Sequence, residues 1–482
     1  MAGIARSKSH FSSLRRRLPV QIGALLVFAL LPLWLRFPRA NPPPLFLPDL
    51  HVSYFVILLP LLWTVGAWIV LGLPGFAELR RDPIRRLWAL GLLGLALWAH
   101  LSTSWAFMRE LEPQVGQNAA LQLSLSALFA VAVACAGPSA RAVVTALVVS
   151  LFANSIITIL QALNQGSIGL AALGEFTFAP NQPGVSVIQS GDLRWVRPMG
   201  LLPHANLLAG TLVIGLFAAA SWLFAASHWR RWLGLLACGL GLWALLLTFS
   251  RGAWLGLAGG TFAVLPLLWP LMRQRAQRRW MAGAAMVAMV TGIAFYVAYQ
   301  PLLAARVGEG TESLELRSIS DRVVFADFAA RSIVERPVLG VGIGNFPWRT
   351  SYYLVETSFD LRGDNVHHVL LAIWAELGMI GVALALLALI AGIEAALRRS
   401  PSPSTLLPHD EASLRNASVE RGNANRAISH IQVARIMLLA GVFAFIIIGL
   451  IDHYPWTILH FQVAWWGSLA LAGRVERASE TV

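Results

Sequence analysis

Charged side chains are scarce in this 482-residue chain. They make up 13% of it, against 57% hydrophobic residues and a mean hydropathy of +0.65. A soluble domain carries about a quarter charged residues, so a water-borne globule is excluded and lipid is the solvent that fits. Cysteine is nearly absent. Cys135 and Cys238 lie in separate apolar runs, which leaves no disulfide framework and no thiolate zinc cluster. Acidic residues are few, 24 against 37 basic ones, and almost every cation is an arginine. In a soluble protein the resulting +13 would suggest nucleic acid. In an apolar chain it reads first as the cytoplasmic bias of loop cations, so no nucleic-acid partner is inferred. Charges midway along the apolar runs and clearly repeated halves are also missing, and a transporter would be expected to show both.

What is present is a series of apolar runs, near 20–35, 52–73, 87–107, 119–136, 142–164, 201–225, 231–249, 252–270, 282–300, 367–396, 434–452 and 457–473. Each approaches the roughly 20 residues that cross a bilayer as a helix. Nineteen tryptophans suit the interfacial belts of such a bundle. The fold class expected is an all-α polytopic membrane protein of about twelve transmembrane helices. The first apolar run follows Arg6, Lys8, Arg15, Arg16 and Arg17, lacks a small-residue cleavage site, and reads as an uncleaved span.

Arginine placement orients the bundle. Arg80, Arg81, Arg85 and Arg86, then Arg230 and Arg231, then Arg273, Arg275, Arg278 and Arg279, then Arg398 and Arg399 fall in alternate connections. These are the basic loops held in the cytoplasm, which puts both termini there as well. Residues 1–300 then hold the first nine spans with an external loop at 165–200. Residues 301–366 form a large external loop, and 367–473 hold the last three spans with a cytoplasmic linker at 397–433. That linker is polar and Ser/Pro-rich at 400–430 and is expected to be flexible. Its Asn416-Ala417-Ser418 sequon is discounted on the cytoplasmic side.

The two external loops carry arginines that need partners. Glu309, Glu312, Glu315, Asp321 and Glu335 can serve those of the second loop, whereas the first offers only Asp192 to Arg194 and Arg197. In RWVRPMGLLPHANLLAG (194–210), those two arginines precede His204 and Asn206 at a helix start. Interfacial anchoring would explain one arginine. Two guanidinium forks beside a helix N-terminus suit an anion such as phosphate. LTFSRGAWLG (247–256) places Arg251 at the external end of two spans, where it either snorkels or faces the same cavity. In SISDRVVFADFAARSIVERPVLGVGIGNFPW (318–348), Val323, Phe325, Ala326, Ala329, Ile333 and Val334 follow helical spacing. Ser320 or Asp321 is the expected cap, and Arg322 then sits in the first turn against the helix dipole, as if for a negative partner. Finally, NVHHVLLAIWAELGMIG (365–381) sets His367 and His368 at a span entrance. Neighbours about 100° apart on a helix cannot face one point, and either can be a plain interfacial hydrogen bonder. A neutral imidazole is also the side chain best suited to take a proton from a hydroxyl, and cationic neighbours favour that neutral form.

The last stretch resembles the signature of the O-antigen ligase and polymerase superfamily: a histidine, a small polar residue, nine residues, then Gly-x-x-Gly. Here it runs from His367 to Gly378-Met379-Ile380-Gly381, with His368 where Asn, Ser or Gln is usual. RPMGLLPHANLLAG, LTFSRG and the helix from Ser320 through RPVLGVGIGNF match in the same order, so the resemblance covers roughly 194–385. It implies a glycosyltransferase-C fold of the second class, with helices in the large periplasmic loop, in the bacterial inner membrane with its site on the periplasmic face. The activity implied is O-antigen ligase. The donor is an O-antigen polysaccharide on undecaprenyl pyrophosphate, the acceptor a sugar of lipid A–core, and neither a metal nor another cofactor takes part. Carried over, His367 is the catalytic base, Arg197 and Arg322 bind pyrophosphate, and Arg194 and Arg251 are further candidates, with His368, His204 and Asn206 secondary. An O-antigen polymerase or a protein O-oligosaccharyltransferase of the same superfamily is the alternative. Metal-dependent oligosaccharyltransferases and mannosyltransferases resemble one another in an acidic pair in the first external loop. At 36–51 this chain has Asp49 alone.

Overall fold

The computed structural model describes residues 17–36, 55–182, 185–191, 193–225, 227–307, 313–355, 364–398 and 417–474. Arg6, Lys8, Arg15, Arg16, Asp49, Asp192, Glu309, Glu312, Arg399 and Asn416, each given a part by the sequence, lie outside them.

The chain is helical almost throughout. Arg17–Leu30 is α1, followed by α2 (Leu58–Val70), α3 (Phe76–Arg81), α4 (Pro83–Ser102), α5 (Pro113–Ala136) and α6 (Ala140–Asn164). A two-stranded antiparallel hairpin then interrupts the expected all-α pattern, with β1 (Val187–Ser190) paired to β2 (Leu193–Val196) in a register that sets Gln189 opposite Arg194. Next come α7 (Ala205–Trp222), α8 (His228–Leu247), α9 (Arg251–Met272) and α10 (Arg275–Val307). The second loop contributes α11 (Ser313–Glu335) and α12 (Phe346–Val355). The last group is α13 (Val369–Arg398), α14 (Ala417–Gly449), the short α15 (Tyr454–Thr457) and α16 (Leu459–Ala472).

Each of the twelve apolar runs falls on a helix, but their lengths differ. Among the described residues, nine helices are long and apolar enough to cross a bilayer unaided, while α1, α2 and the 14-residue α16 are shorter. Local chemistry sets the starts. Asp82 accepts hydrogen bonds from the N–H groups of Ile84 and Arg85 at 3.2 Å each and, with Pro83 behind it, opens α4. Ser139 does the same for α6 through Ala142. Helices α7, α14 and α16 are buried on most of their surface. On α10, by contrast, Met286, Met289, Val290, Ile293 and Val297 stand exposed, an apolar face suited to lipid.

The connections sort to two ends. At one, Arg17 meets Glu78 at 3.7 Å, Arg85 donates to the Ala134 carbonyl at 2.7 Å, and Arg474 donates to the Pro138 carbonyl at 2.8 Å. At the other, Phe107 N–H bonds to Val341 O at 2.9 Å and Met108 N–H to Asn345 Oδ1 at 2.8 Å, so the connection between α4 and α5 is tied to the second loop. The second loop in turn seats on a break in α13. There Gly378 has φ +66°, and Val341 and Gly342 donate to the carbonyls of Ala375 and Glu376 at 2.9 Å while Met379 N–H reaches Pro337 O. A side chain on Gly378 would overlap the Val338 carbonyl, and one on Gly340 would overlap Glu376. The first glycine of Gly-x-x-Gly is therefore required by the close crossing of two backbones.

Three expectations need correction. Helix α11 begins at Ser313, so Ser320 and Asp321 do not cap it and Arg322 is beyond its first turn. The dipole argument for Arg322 therefore lapses, and of the apolar stripe Phe325 and Ala329 are buried whereas Val323 and Val334 are exposed. Residues 417–433, placed in the linker, are helical within α14. The run read as ending at 452 stops being α-helical at Gly449, which leaves Asp452 and His453 in the turn that leads to α15.

Candidate functional site

The deciding geometry gathers where α7, α13 and the turn after α14 meet. His367 lies two residues before the start of α13 with its Nδ1 shut off from water and 3.5 Å from Asp452 Oδ1. At that separation the pair is an electrostatic contact at the limit of a hydrogen bond. The other carboxylate oxygen, Oδ2, accepts from Asn206 Nδ2 at 2.9 Å, and Asn206 Oδ1 accepts from the Arg197 guanidinium at 2.7 Å. Four residues from three parts of the chain thus form one line: Arg197, Asn206, Asp452, His367. His453 lies beside it, its ring centroid 5.2 Å from that of His367, its N–H donating to Asp452 Oδ1 at 2.8 Å, and its Nδ1 sharing a 2.8 Å hydrogen bond with Thr457 Oγ1.

Arg197 is 4% exposed. It also donates through Nε to Thr248 O at 2.6 Å and through Nη1 to Ser186 Oγ at 2.8 Å, so at least three of its five N–H groups are committed. The Thr248 contact explains the LTFSRG block. Phe249 is fully buried with φ +50°, a costly conformation for a bulky residue, and the carbonyls on either side of that strain are held by Arg197 and by Arg306 (Nε to Phe249 O, 3.2 Å). Arg251 donates to the Arg306 carbonyl at 2.8 Å, making it a part of the same clamp.

His204 caps α7, its Nδ1 accepting from Asn206 N–H at 3.1 Å. Its ring is open to water but enclosed on its sides. The enclosing protein, and after it the Arg197 cation, push the imidazole down to about 4. Burial pushes the Asp452 carboxyl up, but the contact with His367 and the nearby imidazoles outweigh it and hold the group ionised well below the usual carboxylate range. The two histidines of the entrance are separated by function of geometry: His367 turns to Asp452, whereas His368 Nδ1 accepts from Leu371 N–H at 3.3 Å as the cap of α13.

The remaining candidates stand apart from this line. Arg194 is exposed on β2 and donates to Pro180 O at 2.8 Å. Arg322 is half-buried on α11 and forms no hydrogen bond or ion pair with another described residue. Other arginines of the second loop are neutralised locally, Arg349 by Glu335 and Arg331 by Asp327 at 2.8 Å. Sequence reasoning missed Asp452 and His453 because both sat at the edges of apolar runs. The available signal was the charge itself, an acid and a histidine side by side between two spans. One candidate ligand atom from each of His367, Asp452 and His453 lies within 4.8 Å of the other two, so the trio has the composition of a cation site.

Residues 236–386, from α8 into α13, match the protein family described as O-antigen ligase. The chain thus carries an O-antigen ligase family domain over those residues. The matched region contains the strained turn at Phe249, α11 with Arg322, His367 and the Gly378 crossing, while Arg197, Asn206 and Asp452 lie outside it. Members of the O-antigen ligase family are glycosyltransferase-like enzymes of O-antigen processing that handle lipid-linked polysaccharide, in keeping with a chain of many membrane-spanning helices. No curated protein matches the chain.

Proposed function

We propose that this protein is an inverting, metal-independent O-antigen ligase. It moves a polysaccharide from undecaprenyl pyrophosphate to a sugar of lipid A–core at the periplasmic face of the bacterial inner membrane. The observation that carries the reading is the line Arg197–Asn206–Asp452–His367 at one end of the bundle. With Nδ1 held toward Asp452, the His367 ring presents Nε2 to a substrate hydroxyl. That hydroxyl oxygen attacks the anomeric carbon of the donor and its proton passes to Nε2. The bond from that carbon to the phosphate oxygen breaks with its electron pair, and undecaprenyl pyrophosphate leaves as an anion. Asp452 stabilises the imidazolium as it forms, the part played by the third member of a triad. Stabilising the departing pyrophosphate falls to guanidinium groups. Arg322 is the one with its donors uncommitted to described residues, and Arg197 contributes its charge from behind Asn206.

The test is transfer by purified protein from a defined undecaprenyl pyrophosphate-linked donor, offered lipid A–core, a growing O-antigen chain, or a pilin-like protein. Transfer to lipid A–core, abolished by His367→Ala and crippled by Arg322→Lys, is the expected result. Preference for the growing chain or the protein would make the enzyme a polymerase or a protein O-oligosaccharyltransferase instead.

A further inference from the structure

A cavity of about 280 Å³ lies just past His453, between α5, the 343–347 turn, α13 and α15. Its polar wall includes Asn118, Gln122, Asn365, Glu376, Thr457 and Gln462, with the indole of Trp456 beside them. Asn118 and Gln122 are one turn apart on α5 and face it together. The volume is at the small end of ligand clefts, near the size of one sugar ring rather than of a lipid or an oligosaccharide.

Resting on the transferase reading above, we propose that this cavity seats the acceptor sugar and fixes which hydroxyl reaches His367. The wall chemistry selects the ligand class. It offers carboxamides, a hydroxyl, a carboxyl and an indole, and contains neither arginine nor lysine, so a neutral polyol fits where a pyrophosphate would meet no cation. Glu376 is 2% exposed, and its carboxyl is approached by the backbone N–H groups of Gly344 and Phe346 and, at a long 3.4 Å, by Trp456 Nε1. The carbonyl oxygens of Asn118 and Asn365 are shut off from water with no hydrogen-bond partner among the described residues. A turn of either amide about its side-chain torsion would bring a polar atom to a sugar hydroxyl and remove the cost of leaving it unpaired.

Position separates acceptor from donor. Thr457 shares its hydrogen bond with His453, whose ring is against His367, and Asn365 lies two residues before that histidine. The cavity therefore adjoins the His367–His453 pair, and Arg197 joins the same pair from the Asn206–Asp452 end of the contacts.

Initial rates measured with the acceptor and the donor titrated separately test this on the full-length protein in detergent or nanodiscs. For Asn118→Ala and Gln122→Ala, the acceptor KM is expected to rise at least about tenfold, with donor KM within about twofold and kcat at saturating acceptor within about threefold. Gln122→Met keeps the side-chain volume and replaces either variant that melts early. A rise in donor KM alone would put the donor's sugar in the cavity and overturn the proposal, as would two unchanged KM values. His367→Ala measured alongside keeps the outcomes separate. Loss of transfer in that variant with unchanged KM values in the cavity variants sinks the subsite and leaves the base, whereas full transfer by it sinks the transferase reading.

Discussion

Replacing Asp452 by Asn removes a charge and almost no volume, and the consequence can be worked from the structure. The carboxylate oxygen is 3.5 Å from His367 Nδ1, and the Asp452 side chain is 11% exposed. An imidazolium forming at that distance gains about 1 kcal/mol from the anion at the dielectric of water and about 5 kcal/mol at an effective value near 20. At about 1.4 kcal/mol per decade, kcat should fall between about fivefold and a few thousandfold, toward the larger figure because the pair is mostly enclosed. Asn206 Nδ2 also loses its acceptor unless the new amide turns its oxygen that way, so the Arg197–Asn206 bond is a second casualty. The assay is steady-state transfer in detergent with both substrates saturating, with KM values and Tm measured on the same preparations. The positioning role requires a fall in kcat with both KM values and Tm nearly unchanged, and partial recovery in Asp452→Glu. An Asp452→Asn protein that turns over within twofold of the native rate would refute the reasoning.

The other expectations are checked by equally direct measurements. His368→Ala should lower Tm through loss of a helix cap worth about 1 kcal/mol, with His368→Asn restoring it, while transfer persists in both; abolished transfer in a folded His368→Ala would reassign the base. Gly378→Ala combines a left-handed φ with overlap on Val338 and should cost upwards of about 2 kcal/mol, seen as early melting or failed expression, and a native Tm would contradict the crossing described. Acidification should destabilise the protein. The folded His204 titrates near 4 rather than its ordinary 6.5, so between those values the unfolded chain binds a proton the folded chain refuses, and stability falls as pH falls. Tm should therefore drop from pH 7 to pH 5, less so in His204→Asn, which keeps a capping oxygen; equal slopes in the two proteins would remove this contribution. Excess chelator should leave transfer unchanged, and activity lost and then restored by a divalent cation would assign the His367–Asp452–His453 trio to a metal.

Hydropathy and arginine spacing were enough to read the apolar helices, because a chain so poor in charge has only one solvent that suits it and periodicity survives without tertiary knowledge. The same reading found His367, Arg197, His204 and Asn206, since polar groups at the mouths of spans are expensive and conspicuous. It could not find their linkage. Asp452 is 246 residues from Asn206 along the chain, and a carboxylate at the end of an apolar run looks the same whether it faces solvent or an imidazole. The signature's spacing favoured His367 over His368, but residue chemistry alone could not separate them, because adjacent residues differ only in direction, and direction is fixed by what α13 packs against. The strained carbonyl turn at Phe249, the break at Gly378 and the cavity beside His453 likewise exist only where separate segments press together. Composition determined the solvent, the helices and the inventory of reactive groups. Packing alone decided which of those groups touch, because contact between distant segments depends on the fold and not on spacing.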